Sequence, residues 1–371
     1  MKKERTNMRS KSGKALGVVV IIMALAVIAG GGVWFLTGCD DEGGGFLEPE
    51  KIINPITGYE CEEELPARPI MCSIDNVGDA VPQSNISYAD IVYEFPVEGL
   101  QTRLQAIYLS EFPEFFGPLR SVRPYFVNLA QEYNAIYVAH GWSWTAKKWL
   151  QDYYDVPYMN AMEDATGYYR VSDKAAPHNS YVTLEEIQRR SEANGWCDEQ
   201  HPVQAFKFRD EEWQQEQDEL KAAAEEGKVI KDEEGNEIKY VEPEKASDIS
   251  FKYTNSGCEF KYDSETGDYA RYRSGQPYVD KETGEQIKVQ NVLVQYVSSK
   301  VYDEKGRLKI HMCGGGDAVL FTDGEVIKGK WKREKLSDKT VFIDQEGNEF
   351  RLSQGKSWVE VIDQTCTFSY Q

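Results

Sequence analysis

The segment Ile91–Val97 alternates so that Ile91, Tyr93, Phe95 and Val97 fall on one face while Glu94 and Glu98 take the other, the period-two signature of a strand. The turn at Gly99 sends the chain back along residues 102–109, a hairpin that brings Arg103 near Glu98. Residues 68–74 predict another strand. Residues 124–133 predict a helix with Pro124 in its first turn, followed by a strand over 135–139. A second helix is marked by the capping box Thr183-Leu184-Glu185-Glu186 and stopped by Gly195.

The pattern changes twice further on. Residues 210–226 are charge-rich with few apolar positions, and 228–241 resemble a small hairpin turning at Glu234-Gly235-Asn236. From Ile249 onward, short apolar runs alternate with turns such as Glu265-Thr266-Gly267-Asp268 and Glu282-Thr283-Gly284-Glu285, which predicts a mostly antiparallel β region of about ten strands. The expected fold class is α+β: a layered sheet-and-helix N-terminal domain over 51–209, an acidic linker or insertion over 210–247, and a mostly antiparallel β C-terminal domain over 248–371.

The N-terminus states an address. Six basic residues between Lys2 and Lys14 precede 24 uncharged residues, 15–38, which close on Leu36-Thr37-Gly38-Cys39, the pattern of lipid attachment to a cysteine. The stretch is long enough to span a bilayer uncleaved. The small residues before Cys39 and the polar tether over 39–50 favour cleavage after residue 38 and a lipid on Cys39. Either way, the bulk of the chain is expected on the extracytoplasmic face of the cell membrane.

Charge narrows the partners. Removing residues 1–38 takes away six bases and Glu4, moving the formal charge from −20 to −25. That argues against nucleic acid and anionic headgroups as partners and leaves the lipid as the membrane link. Six cysteines remain (Cys61, Cys72, Cys197, Cys258, Cys313 and Cys366), an even number that permits disulfides without indicating a pairing. No CxxC, Walker A, GxGxxG or GxSxG motif is present, so no cofactor and no metal is expected.

Candidate chemistry clusters in two places. Gly117-Pro118-Leu119-Arg120-Ser121-Val122-Arg123-Pro124 sets two arginines and a serine before a helix start, where free backbone N–H groups and guanidinium donors suit an anion. The competing reading has Ser121 capping the helix while Arg120 and Arg123 pair with internal acids such as Glu94 and Asp90. Arg170-Val171-Ser172-Asp173-Lys174 and Pro177-His178-Asn179 form the second cluster. Arg103, Arg120, Ser121, Arg123, Arg170 and Lys174 are the anion-binding candidates, Asn76 and Asn179 the ligand-orienting ones. Asp75, Glu94, Glu98 and His178 are the catalytic candidates, the three acids as general base or metal ligand and His178 for proton transfer.

Many of these residues belong to a pattern similar to that of the YerB-like bacterial lipoproteins. The resemblance rests on Asn54-Pro55-Ile56-Thr57-Gly58, Ile74-Asp75-Asn76, Pro82-Gln83-Ser84, Ala89 to Glu94, Val97-Glu98-Gly99, Gly117 to Tyr125 and Ala176-Pro177-His178-Asn179. It continues in Gly275 to Asp280, Asp323-Gly324, Gly329-Lys330-Trp331 and Gly355 to Val359. It implies anchoring and a layered α and β fold in two domains of unknown function, and carries over no catalytic residue. The expected role is that of a lipoprotein of a Gram-positive-type envelope binding an anionic ligand (glycan, phosphate-bearing polymer or peptide) or a protein partner. The alternative is an enzyme acting on lipid-linked or phosphorylated cell-wall precursors.

Overall fold

The computed structural model describes residues 51–371 apart from Pro202, Gln204, Asp232, Glu233, Glu234, Asn236, Lys239, Thr254 and Asn255. The expected signal peptide, Cys39 and the tether lie outside the described residues. Elements used below are β1 (Ile70–Asp75), β2 (Ile91–Val97), β3 (Gln101–Tyr108), α1 (Pro124–Glu132), β4 (Ile136–Ala139), α2 (Trp144–Lys148), β5 (Tyr158–Asn160), α3 (Leu184–Asn194), α4 (Glu211–Glu225), β6 (Glu244–Lys245), β7 (Asp248–Tyr253), β8 (Ser256–Asp263), β9 (Asp268–Arg273), β10 (Asn291–Tyr296), β11 (Gly314–Thr322), β12 (Glu325–Arg333), β13 (Val341–Asp344), β14 (Ser357–Ile362) and β15 (Thr367–Tyr370).

Eleven strands form one mixed sheet in the order β6-β12-β11-β10-β14-β2-β3-β1-β4-β5, with β13 paired to β12. Strands from both halves of the sequence therefore share it. The seam is β14, which pairs in parallel with β2 on one side and β10 on the other. The pairs β1–β4 and β4–β5 are parallel too, and β3 runs antiparallel between β1 and β2. So β10, β14, β2, β1, β4 and β5 all point the same way, and their carboxyl ends line one edge.

Both faces of this sheet are covered, which is why β2 is buried along its whole length rather than on alternate residues. Ile91, Tyr93, Phe95 and Val97 face α1, meeting Tyr125, Phe126, Val127 and Leu129. Val92 and its counterparts Ile70, Cys72, Ile74 and Val138 face the other way, toward α3 and a second, antiparallel sheet built on β15, β7, β8 and β9. The helix signals hold locally. Pro124 opens α1, although Arg123 occupies the cap position without a side-chain cap and Ser121 does not cap. Thr183 accepts the Glu186 N–H at 3.3 Å, and Gly195 closes α3 in a left-handed conformation at φ +65°.

The described residues 215–241 cluster as a unit of their own, containing most of α4 and the pairing of Ile230–Lys231 with Glu237–Ile238. Pro49–Gln214 and Glu242–Gln371 make up the other unit. All six cysteines expected to be available for disulfides are free thiols, with Cys72 and Cys258 buried. Among the described residues no helix is long and apolar enough to cross a membrane.

Candidate functional site

The carboxyl edge of the parallel strands carries polar side chains, as open sheets of this kind do. Asp75 ends β1, Glu98 follows β2, His140 follows β4 and Asn160 ends β5. Arg103, near the start of β3, sits opposite Asp75 in register. Across this edge runs the 117–123 segment, held by backbone hydrogen bonds: Arg120 N–H to Ser73 O (2.8 Å), Leu119 N–H to Ser180 O (2.7 Å), Val122 N–H to Gly141 O (3.0 Å) and His140 N–H to Arg120 O (3.1 Å). Gly141 permits this approach, since a Cβ there would stand 2.6 Å from Ser121 Oγ and its φ is +92°. Three cis peptide bonds, before Pro82, Pro118 and Pro177, lie in the surrounding loops.

Asp75 is the hub. Its side chain is 1% exposed, and one oxygen, Oδ2, meets both His178 Nδ1 at 2.7 Å and Arg120 Nε at 2.9 Å. The Arg120 contact is a charge contact off the N–H direction, since Nε has no hydrogen-bond partner among the described residues. Arg120 remains 25% exposed and His178 16% exposed, both reaching solvent above the buried carboxylate. Arg103 donates to Ser121 O at 2.8 Å, its Nε is buried without a partner, and burial together with the Arg123 charge pushes it down to about 10.

A strand pairing extends the cluster. Arg170, exposed, lies opposite Ser180 in the small sheet formed with Phe115–Phe116, and Ser180 Oγ meets His140 Nδ1 at 2.5 Å. Burial, then the charges of Arg170 and Arg120, hold His140 below its ordinary range. Arg170 Nη1 donates to Asn179 Oδ1 at 2.6 Å, and Asn179 Nδ2 in turn donates to the carbonyls of Val171 and Lys174.

Other candidates serve the frame. Arg123 is committed to Glu98, with Nε donating to Oε2 at 2.9 Å and Nη2 to Oε1. Burial opposes the Glu98 charge, but the Arg123 hydrogen bonds and the charges of Arg123 and Arg103 bring its carboxyl down to about 2. Lys174 donates to the carbonyls of Ala80 and Pro82, and burial lowers its pKa. Glu94 points to the opposite face of the sheet, where it accepts from Thr102 (2.6 Å) and Asn76 (3.0 Å) and pairs with Arg271 at 2.7 Å, everything buried. Asn76 is turned the same way, so neither reaches Asp75's cluster. Asp90, the other acid considered for Arg120, instead accepts the backbone N–H groups of Leu109 and Ser110.

The structure thus brings Asp75, Arg103, Arg120, Ser121, Arg170, His178 and Asn179 to one edge, while Glu94 and Asn76 face the second sheet and Lys174 is bound to the Ala80 and Pro82 carbonyls. It also places His140 and Ser180 at this cluster. Their signal, a polar residue directly after the apolar run 136–139 and a serine opening the run 180–182, is weak because strand ends usually look like this.

Family models described as the N-terminal and C-terminal domains of a protein of unknown function, DUF3048, match residues 56–197 and 248–359. Every residue of the Asp75 cluster lies in the first match. The chain is 32% identical over 317 residues to the Bacillus subtilis protein named "Putative lipoprotein YerB", covering 84% of this chain and 87% of that one. It is also similar to the crystal structure of YerB from Bacillus subtilis, with a TM-score of 0.70 and 28% identity over 86% of this chain and all of the other.

Proposed function

The chain belongs to the DUF3048 family of YerB-like proteins, and on that premise we propose that it is a lipid-anchored extracytoplasmic lipoprotein that binds a phosphate-bearing envelope ligand at Arg120 and Arg170. The lipoprotein name of the relative and the Leu36-Thr37-Gly38-Cys39 sequence support the anchor. One observation carries the ligand. In a chain of formal charge −20, this edge sets Arg103 and Arg120 at a single carboxylate, Asp75, and brings Arg170 to it through His140 and Asn179, while the neighbouring Glu98 is neutralised by Arg123. Neither Arg103 nor Arg170 has a salt bridge among the described residues. A local excess of guanidinium donors, one partly open and one exposed, suits phosphate oxygens.

A thermal-shift screen of the full chain against phosphate, pyrophosphate and phosphate-bearing wall fragments tests this. A ligand at about 100 times its dissociation constant adds about 2.7 kcal/mol of stability. Stabilisation by a phosphorylated compound that is lost in Arg120→Gln with Arg170→Ala is the expected outcome; stabilisation unaffected by the double variant would count against the site. Arg123→Ala is uninformative here, because it strands Glu98. A reaction using Asp75, Glu94 or Glu98 as base gains no support, since each of these carboxylates already faces a cation.

A further inference from the structure

Resting on that anion site, we propose that His178, oriented by Asp75, is the general base of a hydrolytic centre for phosphodiesters. A site that only held an anion would present donors. Asp75, as a carboxylate, accepts from His178 Nδ1 at 2.7 Å, an arrangement that in the neutral imidazole puts the ring hydrogen on Nδ1 and the lone pair on Nε2. Nε2 has no hydrogen-bond partner among the described residues. Such a lone pair repels a phosphate oxygen but accepts a proton from water. One atom ties the two groups together: Asp75 Oδ2 touches both the imidazole and the Arg120 guanidinium, which keeps His178 and Arg120 next to each other at the same edge. At the same edge the buried Nε of Arg103 has no partner among the described residues.

The step balances with water as co-reactant. As water attacks, its oxygen forms the new bond to phosphorus and its proton passes to His178 Nε2. The bond from phosphorus to the leaving oxygen breaks, that oxygen takes a proton from solvent, and His178 returns its proton to solvent. Arg120 and Arg170 stabilise the charge building on the non-bridging oxygens. Asp75 is a positioning residue, fixing the tautomer and the ring.

The test uses the full chain with bis(4-nitrophenyl) phosphate for turnover and inorganic phosphate for binding. The wild type is expected to release nitrophenol. His178→Ala should lower kcat about 10²- to 10⁴-fold, the usual contribution of a general base, with phosphate affinity unchanged and partial rescue by added imidazole. Asp75→Asn should lower kcat and displace the pH profile. Phosphate binding without turnover in the wild type, or turnover retained in His178→Ala, overturns this proposal while leaving the binding site standing. Absence of phosphate binding in the wild type overturns the binding reading itself.

Discussion

Glu94 and Glu360 occupy equivalent register positions on the neighbouring parallel strands β2 and β14, so both carboxylates project toward the second sheet. Arg271 supplies one positive charge to Glu94 Oε2, Tyr253 and Cys258 donate to Glu360, and Asn76 and Thr102 donate to Glu94, all of it buried. The guanidinium is further enclosed by the rings of Tyr278 and Trp358, 4.0 and 4.3 Å away. With one cation for two acids, the pair keeps a proton: burial first, then the Glu94 charge, push Glu360 up to about 8. Unfolded, its pKa returns to the ordinary 4.5. Between these values the native state holds a proton that the unfolded chain has released, so this group's contribution to stability falls as pH rises from about 4.5 to about 8 and levels off above. Glu360→Gln keeps the shape and removes the titration. Its melting temperature, followed by circular dichroism, should vary less with pH across that window than the wild type's; an unchanged slope would place the proton elsewhere.

At the scale of elements, what the sequence disclosed was what local physics determines. The cap of α3 is an example: Thr183 and Gly195 act within one helix and are found in their expected roles, while the Glu186 side chain, expected to complete the capping box, pairs instead with Arg189 and Arg190. Thr183→Ala should cost about 1 kcal/mol in urea unfolding, the usual worth of an N-cap. The β2–β3 hairpin was legible for the same reason, and it does bring Arg103 within electrostatic reach of Glu98. The parallel insertion of β14 beside β2 was not, because no local pattern encodes which distant strand a buried strand chooses. The fate of Glu94 follows from that: alternation placed it correctly on the second face of β2, but only the β7–β9 layer, contributed from more than 150 residues away, makes that face an interior with Arg271 waiting in it. The anion-site segment was read half correctly. Arg120 and Arg123 do meet internal acids, but these are Asp75 and Glu98, brought to the edge by β1 and β2.

For the whole molecule, the shared sheet sets the unit of folding. β2 hydrogen-bonds to β14 along one side, and the core beneath β2 includes Leu293, Val359 and Val361 from the later half. A polypeptide of residues 51–209 alone would expose that strand edge and half of the second face. It is expected to lack a cooperative thermal transition, whereas the full chain unfolds cooperatively; a sharp melt from the fragment would show that the first half is self-sufficient. The same architecture explains where the site stands. Six strands running one way deliver Asp75, Glu98, His140 and Asn160 to a common edge, and the 117–123 segment lays Arg120 across it. The most direct test of the central claim is a calorimetric titration of the full chain with pyrophosphate, in the wild type and in Arg120→Gln with Arg170→Ala. Saturable binding by the wild type, weakened at least tenfold in the double variant and by added salt, is the predicted result. Equal affinity in both proteins, or no heat of binding in the wild type, would contradict an anion site at this edge.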